Sequence, residues 1–176
     1  MSLWFLGMNQ LSELYLGDTK VTYKGVKVLA EFLPDLVVLD ISRCRLDDAQ
    51  LFDTLSRFHL LEVLSIESSS LTCPLNLSNL PKNAFTSLVV FNLGNTNVTD
   101  ADVTQLVAMR MHQLRQLTLS GCRSLTVPTL LAVTRGCRLL ELFHLPATSA
   151  VFDNITMLLP FLCGACVGPL NPFFIL

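Results

Sequence analysis

Charge is scarce in this chain. Only 15% of its 176 residues are charged, against 51% that are hydrophobic. The 12 Lys and Arg form no run, and with 14 Asp and Glu they leave a net charge of −2. A phosphate backbone is gripped by clustered Lys and Arg, so no nucleic-acid partner is expected. Histidine is also rare: the chain has 3, and His59, His112 and His144 lie far apart in sequence. None is paired with a nucleophile, and there is no glycine loop to cradle a phosphate, Gly94 and Gly121 being isolated turn glycines. No enzyme and no cofactor are expected on those grounds. The pair Cys163 and Cys166 is a CxxC, but no second Cys or His pair follows to complete a zinc site, so no metal is expected. Met1 to Gln10 carries no positive charge, and its apolar run is too short for a signal peptide.

What the chain has is a spacing. Leu114, Leu117 and Leu119 are followed by Cys122 at the ninth position of a frame that opens at Leu114. The same frame opens at 11, 36, 61, 88 and 140. It is filled by Leu11, Leu14, Leu16 and Thr19, then Leu36, Leu39, Ile41 and Cys44, then Leu61, Leu64, Ile66 and Ser69. Leu88, Phe91, Leu93 and Thr96 follow, and Leu140, Phe143, Leu145 and Thr148 give the weakest match. A near-constant step argues for one structural unit used repeatedly, each burying its apolar side only against its neighbours.

On those residues the chain resembles leucine-rich-repeat proteins. Leu119-Ser120-Gly121-Cys122, Leu125-Thr126 and Gly136-Cys137 resemble the cysteine-containing subclass typical of the repeat half of F-box proteins. Gly17 to Thr22 and Gly94 to Asp100 are similar to repeats of kinetoplastid leucine-rich proteins. The resemblance implies an α/β fold: a solenoid arc of about six repeats, with an inner parallel sheet and outer helices. Residues 1–10 are then a lead-in, 11–162 the repeat domain and 163–176 an apolar tail. The lead-in is a poor polar cap, so a fragment or a short paralogue of a longer repeat protein is expected.

Strands are expected at Glu13 to Leu16, Val38 to Ile41, Val63 to Ile66, Val90 to Leu93, Gln116 to Leu119 and Leu142 to Leu145. Helices are expected at Tyr23 to Phe32 after an N-cap at Thr22, and at Asp47 to Phe58 with acids in its first turn. Two more are expected, at Asp100 to Met111, opened by a capping box of Thr99 and Asp102, and at Pro128 to Arg135. Pro74 and Pro81 predict a short helix or an irregular segment between Leu71 and Leu88. The small ninth-position residues should turn inward and donate to turn carbonyls. Cys44 and Cys122 are among them. With cysteine acting as a small hydrophobe, all 6 are expected as free thiols in a cytoplasmic or nuclear protein.

The expected function is non-catalytic protein binding on the inner face. The candidate residues are Glu13, Tyr15, Asp18, Asp40, Arg43, Ser65, Glu67, Asn92, Asn95, Thr118 and His144. Acids outnumber Arg43 in the first three repeats, which points to a basic protein partner. Two alternatives stand beside this reading. One, from the resemblance, is the substrate-recognition part of an F-box-type ubiquitin ligase. The other is a membrane-tethered repeat protein, suggested by the uncharged stretch Asn154 to Leu176, although Pro160, Pro169 and Pro172 interrupt it.

Overall fold

An apolar residue more buried than its two neighbours makes a strand with one buried face, because side chains alternate along extended backbone. The six triplets Glu13–Tyr15 (β1), Val38–Asp40 (β2), Val63–Ser65 (β4), Val90–Asn92 (β6), Gln116–Thr118 (β7) and Leu142–His144 (β8) follow this pattern. They form a 6-stranded sheet of order β1-β2-β4-β6-β7-β8, with every pairing parallel. The order is open at both ends, so the sheet is not a closed barrel. The computed structural model describes residues 10–71, 75, 77, 80, 81, 83–109 and 111–144. The expectations that rest on the lead-in, on Leu145, Thr148 and the apolar tail fall outside them, as do Cys73, Cys163 and Cys166.

The register keeps each apolar centre beside the next: Leu14, Leu39, Leu64, Phe91, Leu117 and Phe143 are direct partners. From Leu36 to Leu119, the first, fourth and sixth positions of the frame are never more than 3% exposed. Leu11, Leu14 and Leu16 are only partly buried. Each strand is one residue shorter than expected, yet the next residue still joins the ladder. Leu16, Ile41, Ile66, Leu93 and Leu119 each donate to the third residue of the following strand, at 2.7–3.0 Å.

Helices lie between the strands and share one core with them. Tyr23–Phe32 (α1) has the expected bounds, with Val26, Leu29 and Ala30 buried. Thr22 stands at its N-cap, but its side chain makes no capping bond; its carbonyl accepts from Gly25 and Val26. The helix expected over 47–58 is reduced to Leu51–Leu55 (α2). The acids explain this correction: Asp48 Oδ1 accepts from the Gln50 N–H at 2.8 Å, a local turn that competes with helix. Just before it, Arg45–Leu46 (β3) pairs with Ser70–Leu71 (β5) in a second, 2-stranded sheet that the periodicity did not indicate. Between Leu71 and Leu88 the described residues contain no helix, though Leu75, Leu77, Ala84 and Phe85 are buried.

Asp100–Ala108 (α3) stops short of Met111, and Val127–Gly136 (α4) extends one residue beyond expectation at each end. The capping box of α3 is formed by Thr99 and Asp102. Asp102 is fully buried and also accepts from the Leu75 N–H at 2.6 Å, so it ties the irregular segment to the helix. The start of α4 is held from outside. Thr126, its N-cap, makes no side-chain capping bond, and Asp100 of α3 supplies the acceptor instead. Its Oδ1 takes the Thr126 N–H at 2.8 Å and the Thr129 hydroxyl at 2.6 Å, and its Oδ2 takes the Thr126 hydroxyl. At the other end, Gly136 lets α4 approach α3: a Cβ there would meet Val107 Cγ1 at 1.9 Å.

Asp100 makes the packing of these helices pH-dependent. Burial raises its carboxyl, but hydrogen bonds from Thr126 and Thr129 outweigh burial and hold it below the usual value. A depressed carboxylate contributes stability above its unfolded value of about 3.9, lost as pH falls through the folded value. Asp100→Asn should cost about 1–2 kcal/mol at neutral pH, because a charge-assisted acceptor is lost. Urea unfolding should also show a smaller loss of stability between neutral and acid pH for Asp100→Asn than for the parent. Identical pH dependence would place the acid sensitivity elsewhere.

Candidate functional site

One side of the sheet carries the core, and on the other, the open side, the strand residues described are half-buried or exposed. On the open side, Tyr15, Asp40, Ser65, Asn92, Thr118 and His144 form one row, each the register partner of the next. None is buried, and Tyr15 is 64% exposed. The structure therefore brings six of the candidate residues together in a line across the strands. Glu13 belongs to a parallel row on the same face, beside Val38, Val63, Val90, Gln116 and Leu142.

A third row follows two residues beyond that of Tyr15, and its contacts place it on the same face. The Ser42 hydroxyl lies 2.8 Å from that of Ser65. Glu67 Oε2 accepts from Asn92 Nδ2 at 3.0 Å, and Oε1 accepts from Asn95 Nδ2 at 3.2 Å. Gly17 leaves the Asp40 carboxylate uncovered, since a Cβ there would sit 3.3 Å from Asp40 Oδ2. Glu67 is thus beyond the end of β4, held by two amides of the next unit. Asp40 Oδ1 accepts from the Ser42 N–H at 2.9 Å, which fixes its rotamer. At the two ends, Tyr15 donates to Glu13 Oε2 at 3.0 Å, and Thr118 Oγ1 pairs with His144 Nδ1 at 3.0 Å. The hydrogen bond to Glu13, some burial, and the charges of Glu13 and Asp40 push the ionisation of Tyr15 upward.

The remaining candidates do not lie on the face. Asp18, Arg43 and Asn95 occupy the turn after their strands, with φ of 60°, 57° and 54°. Ser68 (54°) and Gly121 (73°) hold the matching places. A left-handed residue therefore recurs just before each ninth position from Asp18 to Gly121. It costs Gly, Asn and Asp little, and Arg and Ser more. The signal was legible in the residue types, since Asp18, Asn95 and Gly121 are ones that tolerate this conformation. Beside these turns a cleft of about 700 Å³ is lined by Ser68, Ser70, Asn95, Asn97 and Arg123, among others.

The described ninth-position residues, Thr19 to Cys122, behave as expected, with one correction. Thr19 and Cys44 both donate to the Leu16 carbonyl, at 2.7 and 3.4 Å. Thr96 and Cys122 both donate to that of Leu93, at 2.6 and 3.1 Å. Ser69 donates to the Ile41 carbonyl at 3.0 Å and accepts from the Cys44 N–H at 3.1 Å. Thr19, however, is exposed rather than inward. Cys44, Cys122 and Cys137 are free and buried. Burial raises the Cys122 thiol and pushes that of Cys137 up to about 11, so neither is a nucleophile at neutral pH.

No group of three or more His, Cys, Asp or Glu is placed to hold a metal among the described residues. No helix among them is long and apolar enough to cross a membrane. The turn residues give a test with opposite signs at equivalent places. Gly121→Ala should destabilise by about 1–3 kcal/mol, because a side chain at positive φ is strained and its Cβ would lie 2.0 Å from Asn95 Oδ1. Arg43→Gly should be neutral or stabilise by about 0.5 kcal/mol, strain relief being offset by glycine's entropy. Denaturant midpoints check both, and a destabilising Arg43→Gly would contradict the strain argument.

No protein-family model matches this chain, and a search of curated proteins finds no match.

Proposed function

We propose that this chain is a leucine-rich-repeat arc that works as a non-catalytic protein-binding module, receiving its partner on the open face of the sheet. The observation that carries this reading is the line from Tyr15 to His144. Five half-buried side chains and the exposed Tyr15 stand in register on a parallel sheet whose strand centres, among the described residues, share a core with the helices on the other side. Parallel sheets are usually covered on both faces, so an open one presents a ready surface. Its side chains can vary without disturbing the core, because the core residues point the other way. The step of 25–27 residues between frames supports the repeat reading, and the thiol and hydroxyl ties to Leu16 and Leu93 support the cysteine-containing subclass. The free thiols support a reducing compartment, cytoplasmic or nuclear.

Affinity capture with matched variants tests this. Partners retained by the parent should be lost with Ser65→Arg or Thr118→Arg, which place a long cation in the middle of the row. They should be retained with Lys24→Glu and Gln105→Arg, which alter exposed positions on α1 and α3. Loss with the helix variants and retention with the face variants would move the binding site to the helices.

A further inference from the structure

The three rows of the open face differ in chemistry. Val38, Val63 and Val90 are register partners on adjacent strands and are only half-buried. With strands about 4.8 Å apart they form an apolar strip about 10 Å long. Alongside it run Asp40, Ser65 and Asn92, and beyond those Ser42, Glu67 and Gly94. Charge on the three rows is of one sign. Glu13, Asp40 and Glu67 are there, and no Lys or Arg is among their described residues. Arg43, the nearest cation in sequence, is on the turn edge.

We propose that this face takes an amphipathic basic segment of a partner protein, its apolar side chains on the valine strip and its Lys or Arg side chains against Asp40 and Glu67. The inference rests on the protein-binding reading and names the class of partner. Both carboxylates are preorganised. Asp40 is fixed by the Ser42 N–H and left uncovered by Gly17, and Glu67 is fixed by two asparagine amides. A carboxylate held in place loses little rotamer entropy on meeting a cation. Tyr15, in register with Asp40, adds an exposed ring over which a cation can sit. The negative face repels phosphate, which disfavours nucleic acid and anionic lipid. The valines give a purely polar ligand nothing to bury.

The test uses the full chain and three fluorescent peptides: leucine alternating with lysine, with glutamate and with serine. Fluorescence anisotropy at low and physiological salt should find the leucine–lysine peptide bound at least about tenfold tighter than the glutamate one, as complementary charge requires. Its affinity should weaken with salt. It should also fall about tenfold in Asp40→Asn with Glu67→Gln, and not in Glu31→Gln with Glu62→Gln, where exposed carboxylates elsewhere are neutralised. If Glu67→Gln does not fold, Asp40→Asn with Glu13→Gln carries the same comparison. Val63→Ser should weaken binding through the apolar strip. The proposal is overturned if no peptide binds, if the glutamate peptide binds as well, or if both pairs of neutralised carboxylates act alike. Binding of the serine or glutamate peptide that Ser65→Arg abolishes would overturn the basic class while leaving the open face as a protein-binding surface.

Discussion

A parallel strand of three residues has no stability of its own, and everything in this molecule depends on the in-register stacking of such strands. Leu39, Leu64, Phe91 and Leu117 each sit between two partners of the same kind. Burying each such side chain is worth about 1.5–3 kcal/mol, but only while both neighbours are in place. A slip of one residue would turn this row to the open face and carry Asp40 or Asn92 into the core. The backbone reinforces the register. Val37, Glu62, Val89 and Arg115 each offer one carbonyl to two successive N–H groups of the next unit.

Much of this was legible because a 25–27-residue step and a period of two are both written in apolar residues. Each strand of the 6-stranded sheet was found to within a residue, and α1 to its ends. The errors fall where a polar side chain, rather than the apolar pattern, decides the backbone. Asp48 shortens α2 by holding a turn, and Asp100 caps α4 from a different helix, a pairing across 26 residues that no local pattern contains. The second sheet escaped notice because two-residue strands have no periodicity to read.

The candidate face divides in the same way. Its central row could be placed from alternation alone, since those residues lie within strands. Asp18, Arg43 and Asn95 could not, because alternation ends where the backbone turns left-handed. The role of Glu67 depends on side-chain reach: it lies past its strand and returns to the face only through Asn92 and Asn95. That clamp makes its carboxylate a fixed feature of the surface, and it gives Asn92 and Asn95 a structural task as well as an exposed one. Salt bridges contribute little here. Arg57 with Asp53 and Arg115 with Glu141 are both exposed pairs, which are worth little in water.

Each unit should be stable only through its neighbours, and residue-resolved native hydrogen exchange on Leu117→Ala tests this directly. The substitution should cost about 2–5 kcal/mol at a site buried between Phe91 and Phe143. Protection should fall at the Leu119 amide, within the altered unit, and also at Leu93 and Ile66, whose amides belong to the preceding units, with the loss fading with distance. Loss confined to residues 114–119, with Leu93 and Ile66 at parent values, would contradict it.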